Sequence, residues 1–452
     1  MNISPCLTHK VINLLILCCF AINSAVLAAT PAVEQQLVPQ EVVDFYAEVM
    51  NVAPYLPADL SNKQIGAGLV ARDSKQKHYL TASEVDYFKA DWEQRVASNW
   101  HFFSAPRELG RITLIDFKTT SQGSSTASPA LSYRYLANQS SHNQLYEPWS
   151  SSKIFAYSAA VAKVRQLSEH KVGASSLAGN TPIADLITSI NSYAVFGQAD
   201  GDSNAIATYF ANVVGRDRLT ALFHDQWLML ANPAIRFRGA YASKVFVPSD
   251  TYWHSATAQI QVPAFGASTD DNGYQDYRCE HCGLTGNKPM TTLAQAEWLK
   301  RLAVHERDPL TRHPYLQTED IEVLFFGSGH SDKQHQVGGM LQGISLMLHN
   351  ALATAIVGEL PEDPKKVLDE ATRGQWRIWQ KIGWGPSETR GAGENVVLAH
   401  VSLPHYQGGK EFTIAAQTAA AGDGDIYVNY AGIKMQSLLS QSLLELFNSQ
   451  QP

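Results

Sequence analysis

Cysteine is scarce. Five occur in 452 residues, and Cys6, Cys18 and Cys19 fall at the very start of the chain. What remains is the single stretch Cys279-Glu280-His281-Cys282. A structural zinc site takes about four ligands, and no second CxxC or HxxxH element accompanies this one. No βαβ pattern surrounds it, which argues against a redox-active pair. A local disulfide between Cys279 and Cys282 suits an oxidising compartment, and neither a metal nor a cofactor is expected. Excess basic charge is lacking too: 35 Lys and Arg stand against 42 Asp and Glu, a formal net charge of -7. With no basic field and no long block of like charge, nucleic acid is excluded as a partner.

Long apolar runs are absent beyond the N-terminus. A membrane-spanning helix needs about 18 uninterrupted apolar residues, and the best later candidate, Val337 to Val357, is broken by glycines, Gln342 and His349. The GxSxG elbow of many serine hydrolases is missing as well, since Gly327-Ser328-Gly329 lacks the outer spacing. A Ser-His-Asp site built from Ser328 or Ser331 with His330 and His335 therefore has no motif behind it. Those histidines read as loop or groove residues.

The N-terminus is the exception to this apolar poverty. His9 and Lys10, an apolar run from Val11 to Ala21, and small residues up to Ala28 and Ala29 form an export signal over residues 1–28, with cleavage expected after Ala28. A lipoprotein or a retained anchor are lesser readings, because Leu17 precedes Cys18 and the run is short for a span. The mature chain is expected to be soluble and periplasmic or secreted.

The mature chain has three textures. Residues 29–105 read as a helical accessory region, with an amphipathic stretch from Gln40 to Asn51 and a Thr81–Glu84 capping box opening a helix through Trp100. From Arg111 the pattern turns to strands, Arg111 to Phe117 and Leu131 to Leu136, joined by a Ser/Thr/Gly-rich connection. A helical block from Ala184 to Asp225 comes next, then an irregular insertion around 232–288, rich in aromatics, Asp, Gly and Pro. Connections that long are usually functional or inserted subdomains. Helices from Thr291 to Glu306 and Gln336 to Val357, strands Arg377 to Trp384, Val396 to Leu403 and Glu411 to Thr418, and a last helix Tyr430 to Phe447 complete the chain. Strands at both ends of residues 106–452 that share one sheet make an α+β fold: an antiparallel sheet flanked by helices, with a helical block and an N-terminal helical extension.

The chemistry is carried by Ser150-Ser151-Ser152-Lys153, which leads into an apolar helical pattern from Ile154 to Val164. Serine and lysine three positions apart share a helix face, so the amine reaches the hydroxyl. Lysine acts as a base only when burial or a second cation lowers its pKa, so the motif predicts another positive group nearby. Ser151 and Ser152 lack a lysine three positions on and read as packing or polar groups.

Asp202-Ser203-Asn204 precedes a helical run and then Gly215-Arg216-Asp217-Arg218-Leu219-Thr220-Ala221-Leu222-Phe223, and Lys381-Ile382-Gly383-Trp384-Gly385 lies on a predicted strand near the end. With Thr291 opening a helix, this order resembles the serine β-lactamase and penicillin-binding protein superfamily, most of all class A β-lactamases. The likeness spans roughly residues 111 to 450. It implies a Ser150 nucleophile with Lys153 as base, Lys381 as the second cation and a carboxylate-attracting group, and Asn204 holding a substrate amide and Lys153. It also implies an oxyanion hole from the Ser150 and Trp384 backbone N–H groups, and substrate contacts from Ser203, Ile382, Gly383 and Trp384. The implied substrate is a small molecule or a peptidoglycan-derived one, attacked at an amide, β-lactam or ester; a catalytically weak protein binding such ligands, or a protein partner, through the same groove is the alternative.

Departures from the pattern are visible. Asp202 occupies the slot of a proton-relaying serine and is a candidate acid–base group, unless Ser203 serves by local slippage or Ser189-Ile190-Asn191 is the true element. Ile382 replaces a substrate-binding threonine. The deacylating glutamate has no clear match, Asp276 and Glu280 being the candidates.

Overall fold

The computed structural model describes residues 38–69, 78–120, 130–274, 288–387 and 390–449. The export signal, Cys279 and Cys282, and the candidates Asp276 and Glu280 lie outside the described residues. The fold is α+β, as expected.

Its centre is a seven-stranded sheet. The order runs Leu80–Thr81, Ala130–Asn138, Arg111–Thr120, Lys410–Ala421, Ala392–Leu403 and Arg377–Ser387, with Ser98–Phe103 also paired to Ala130–Asn138. Pairing is antiparallel except for the parallel Ser98–Phe103 contact. Strands from both ends of the chain thus share one sheet. Because side chains alternate across a strand, each strand feeds two cores. Ile112, Leu114, Val397, Ala399, Ile414 and Ala416 pack on one side, beneath the Asp425–Asn448 and Met347–Val357 helices. Ile115, Phe117, Leu398 and Ala415 pack on the other, with the Thr292–Ala303 and Lys153–Leu167 helices.

Residues 38–105 depart from the helical expectation. Pro39–Phe45 is helical and continues as a wider turn through Met50. The Thr81–Glu84 capping box forms, with the Thr81 N–H donating to Glu84 at 2.7 Å, but its helix ends after Ala82–Val85 and Ser98–Phe103 is a strand. Val85, Tyr87 and Trp92 are all buried in one core. Positions 85 and 87 lie about 200° apart on a helix, so both reach that core only if the helix stops, as it does at the left-handed Asp86. The region is also stitched to the rest: Ser345 and Leu346 N–H groups donate to Val52 and Val49 carbonyls, and Arg377 donates to the Asp59 and Asn62 carbonyls.

The helix expected from Gln336 starts only at Met347. Gly343 lies against the Arg377–Ser387 strand so closely that a Cβ there would stand 2.0 Å from the Gln380 carbonyl oxygen. Backbone contact with that strand displaces the helix. Two helices, Thr318–Phe326 and Pro364–Thr372, had no forecast. No described helix is long and apolar enough to cross a membrane.

Candidate active site

Ser150 lies in a tight 3-10 turn, Trp149–Ser152, that runs directly into the Lys153–Leu167 helix. Lys153 follows as the first residue of that helix, three positions on from Ser150. The neighbouring serines are occupied: Ser151 donates to the Pro148 carbonyl at 2.6 Å, and Ser152 donates to the Trp149 carbonyl at 2.8 Å.

The Arg377–Ser387 strand is the last in its sheet and lies along this turn. A Cβ on Gly383 would stand 2.6 Å from the Ser150 nitrogen and 2.7 Å from that of Ser151, and one on Gly385 would meet the Trp149 ring at 2.4 Å. The two glycines of the Lys-x-Gly-x-Gly stretch are there for backbone approach.

Lys153 is wholly buried. Its Nζ donates to Ser203 Oγ at 3.0 Å and to Asn204 Oδ1 at 2.6 Å, both at the start of the Ser203–Val214 helix. Burial first, then the charge of Lys288, push its pKa down to about 7, while Asp202 pulls the other way. An amine that titrates near neutrality is thus assembled. The second cation expected from the sequence was Lys381, whereas the charge acting on Lys153 is that of Lys288. Burial and then the charge of Lys153 hold Lys381 well below the ordinary lysine range.

Lys381 is buried too, with Nζ 3.4 Å from the centroid of the Tyr193 ring and donating to the Ile190 carbonyl at 2.6 Å. Tyr193 ends the Ile183–Ser192 helix in a left-handed conformation. Its phenol donates to the Ile382 carbonyl at 2.8 Å, and burial raises its pKa while the neighbouring Ser150 lowers it. The ring also lies 5.1 Å from that of Trp384, which in turn meets Tyr46 edge-on at 6.4 Å.

Strand alternation corrects one expected contact. Ile382 points away from Lys381 and Gly383 into the opposite core, 1% exposed, so its carbonyl and not its side chain faces the site. Asp202 is the N-cap of the Ser203–Val214 helix, its Oδ1 accepting from the Ala205 N–H at 3.0 Å. The hydroxyl beside Lys153 is that of Ser203. Ser189 and Asn191 are in a helix interior, bonded to the Ala194 and Ile187 carbonyls. Ser331 is held by Asp185, and His330 and His335 pack on Phe196.

The described part of the insertion supplies groups that no motif signalled. Tyr241 lies with its ring centroid 5.4 Å from Lys153 Nζ and 4.9 Å from Lys288 Nζ, and its hydroxyl is 2.9 Å from Ser152 Oγ. Lys288 pairs with Glu147 at 3.6 Å. Burial raises the Glu147 pKa, and its Oε2 is buried without a hydrogen-bond partner among the described residues. Among the described residues no cluster of three His, Cys, Asp or Glu side chains could hold a metal ion.

No protein-family model matches the chain, and no curated protein does either. Among solved structures, that of PBP-A aligns over 84% of this chain and 99% of its own, at 10% identity and a TM-score of 0.35. A class A β-lactamase from Mycobacterium abscessus covers 74% of this chain and 93% of its own, at 11% identity and a TM-score of 0.36. The C-terminal domain of the Bacillus licheniformis BlaR penicillin-receptor covers 76% and 91%, at 10% identity and a TM-score of 0.33. The chain's structural neighbours are thus β-lactamases and penicillin-binding proteins. Likeness this distant assigns no chemistry to the chain, whose reactivity is set by its own side chains.

Proposed function

We propose that the chain is an exported serine hydrolase or acyltransferase of β-lactamase-like type, acting on an amide, β-lactam or ester through an acyl-enzyme. The observation that carries this reading is the Lys153 amine: buried, brought to about 7, and bonded to Ser203 and Asn204. A neutral amine has two N–H bonds, which Ser203 and Asn204 accept, and one lone pair, left for the hydroxyl of Ser150 three positions away.

In the proposed reaction Ser150 Oγ attacks the carbonyl carbon and its proton passes to Lys153. The new C–O bond forms, the bond to the leaving group breaks, and the leaving oxygen or nitrogen takes the proton back from Lys153 by way of Ser203. Backbone N–H groups of Ser150 and Trp384 receive the oxyanion, a contribution of roughly 3 to 4 kcal/mol per donor in comparable sites. Asn204, exposed at the cleft while anchored to Lys153, holds the substrate amide. Water attacking the acyl-enzyme returns Ser150.

A second reading, a protein that binds such ligands without turning them over, is favoured by the Lys153 Nζ being bonded to Ser203 and Asn204 while Ser150 acts on the Tyr193 phenol. Incubation with a fluorophosphonate probe, followed by peptide mass spectrometry, separates the two. Labelling of Ser150 that disappears in Ser150→Ala supports the enzyme; a folded protein that no acylating probe modifies sinks it.

A further inference from the structure

We propose that the acyl donor of this site is an uncharged ester or amide, and that the Tyr193 ring is the group that denies a carboxylate its place beside Lys381. The inference rests on Ser150 being the nucleophile.

Three lysines surround Ser150 at depth, and none offers its charge to a ligand. Lys153 and Lys381 are 0% exposed and Lys288 is 7% exposed. Lys153 is committed to Ser203 and Asn204, and Lys288 to Glu147 and to the Ala240 carbonyl at 3.3 Å. Lys381 donates to the Ile190 carbonyl beneath the Tyr193 ring, a cation–aromatic contact of 3.4 Å. Tyr193 is itself held by the Ile382 carbonyl at 2.8 Å and the Trp384 ring at 5.1 Å. An anion that sought Lys381 would have to displace both.

The groups that do reach solvent around Ser150 are of another kind. Ser150, Asp202, Tyr193, Trp384 and Tyr46 are half-buried and Asn204 is exposed. The charge in that set is the Asp202 carboxylate, which repels an anion. A carboxylate desolvated there without a partner would cost several kcal/mol in general terms, whereas the rings of Tyr46, Trp384 and Tyr193 suit an apolar or aromatic acyl group. The low pKa of Lys381, caused by burial and then by Lys153, further reduces any field it offers an anion.

Two matched pairs of acyl donors test this on the full chain: benzylpenicillin against its methyl ester, and p-nitrophenyl hemisuccinate against p-nitrophenyl butyrate. Acylation of Ser150 is followed by stopped-flow and intact mass. The uncharged member is expected to react at least about tenfold faster in the native protein, the ratio reflecting an unpaired buried carboxylate. Tyr193→Ala, which uncovers Lys381, is expected to bring the ratio below about threefold, and Tyr193→Phe, which keeps the ring, to leave it standing. Because each ratio is taken within one protein, lost folded material does not alter it. A native protein that prefers the charged member of either pair overturns the proposal while leaving Ser150 as nucleophile. A ratio unchanged in Tyr193→Ala overturns the part given to Tyr193. Failure of every donor and of a fluorophosphonate overturns the Ser150 reading, and this inference with it.

Discussion

Gly383 and Ser150 meet backbone to backbone: a side chain beginning on Gly383 would stand 2.6 Å from the Ser150 nitrogen. The last strand of the sheet and the Trp149–Ser152 turn are joined there without an intervening side chain, and both proposed oxyanion donors depend on the contact.

Gly383→Ala is accordingly expected to push the turn away from the strand. Overpacking of this kind typically costs about 1 to 3 kcal/mol, and the acylation rate is expected to fall at least about a hundredfold through loss of the oxyanion hole. Urea denaturation and burst kinetics measure the two effects; a variant of native rate would show that this contact does not position Ser150.

The state of Lys153 sets the pH dependence. Its folded pKa is about 7, and the free amine is the active base, so acylation is expected to rise as pH increases through about 7 and to be lost below it. Lys153→Arg, whose guanidinium stays charged throughout, is expected to lose at least about a thousandfold. A rate independent of pH between about 5 and 9 would remove Lys153 as the base.

Lys288 acts on Lys153 across the Tyr241 ring. Both ammonium groups lie within 5.4 Å of that ring's centroid, so they are near enough for a coupling of about one pH unit at an effective dielectric of about 20. Lys288→Met removes the repulsion and is expected to move the acidic limb upward by about that amount, and Lys288→Arg to hold it in place. Titration of 13Cε-labelled lysines, with Lys153 assigned by its own substitution, checks the shift without reference to turnover.

Asp202 and Ser203 are separable. Asp202→Ala removes a helix cap and is expected to cost about 1 kcal/mol, whereas Asp202→Asn keeps the cap and removes the charge that raises the Lys153 pKa. The acidic limb of Asp202→Asn is expected to move to lower pH. Ser203→Ala, by contrast, is expected to slow acylation at least about a hundredfold with little change in stability. If Asp202→Asn is the slower variant, the carboxylate is the proton relay.

Much of the fold and site was legible in the chain. The Ser150-x-x-Lys153 spacing, the terminal strands and the glycine pair at Gly383 and Gly385 carry their own geometry. Tyr193, Tyr241, Glu147 and Lys288 were not legible. They belong to no motif, and their part depends on which helix end or insertion is brought against Lys153. The helix expected from Thr81 to Trp100 failed for a related reason, since burying both Tyr87 and Trp92 outweighed local helical preference.

That Ser150 and Lys153 are neighbours could be read from the chain alone, because residues three apart in one turn lie close whatever the rest of the chain does. It also pointed to burial or a second cation beside Lys153, because an exposed ammonium is no base. Tertiary structure alone decided which cation that is. Lys381 lies 3.4 Å from the Tyr193 ring, its pKa lowered by burial and by Lys153, and Lys288, at the end of the insertion and paired with Glu147, is the cation that lowers the Lys153 pKa. Burial and pairing set which charges act on Lys153, and both depend on residues far apart in the chain.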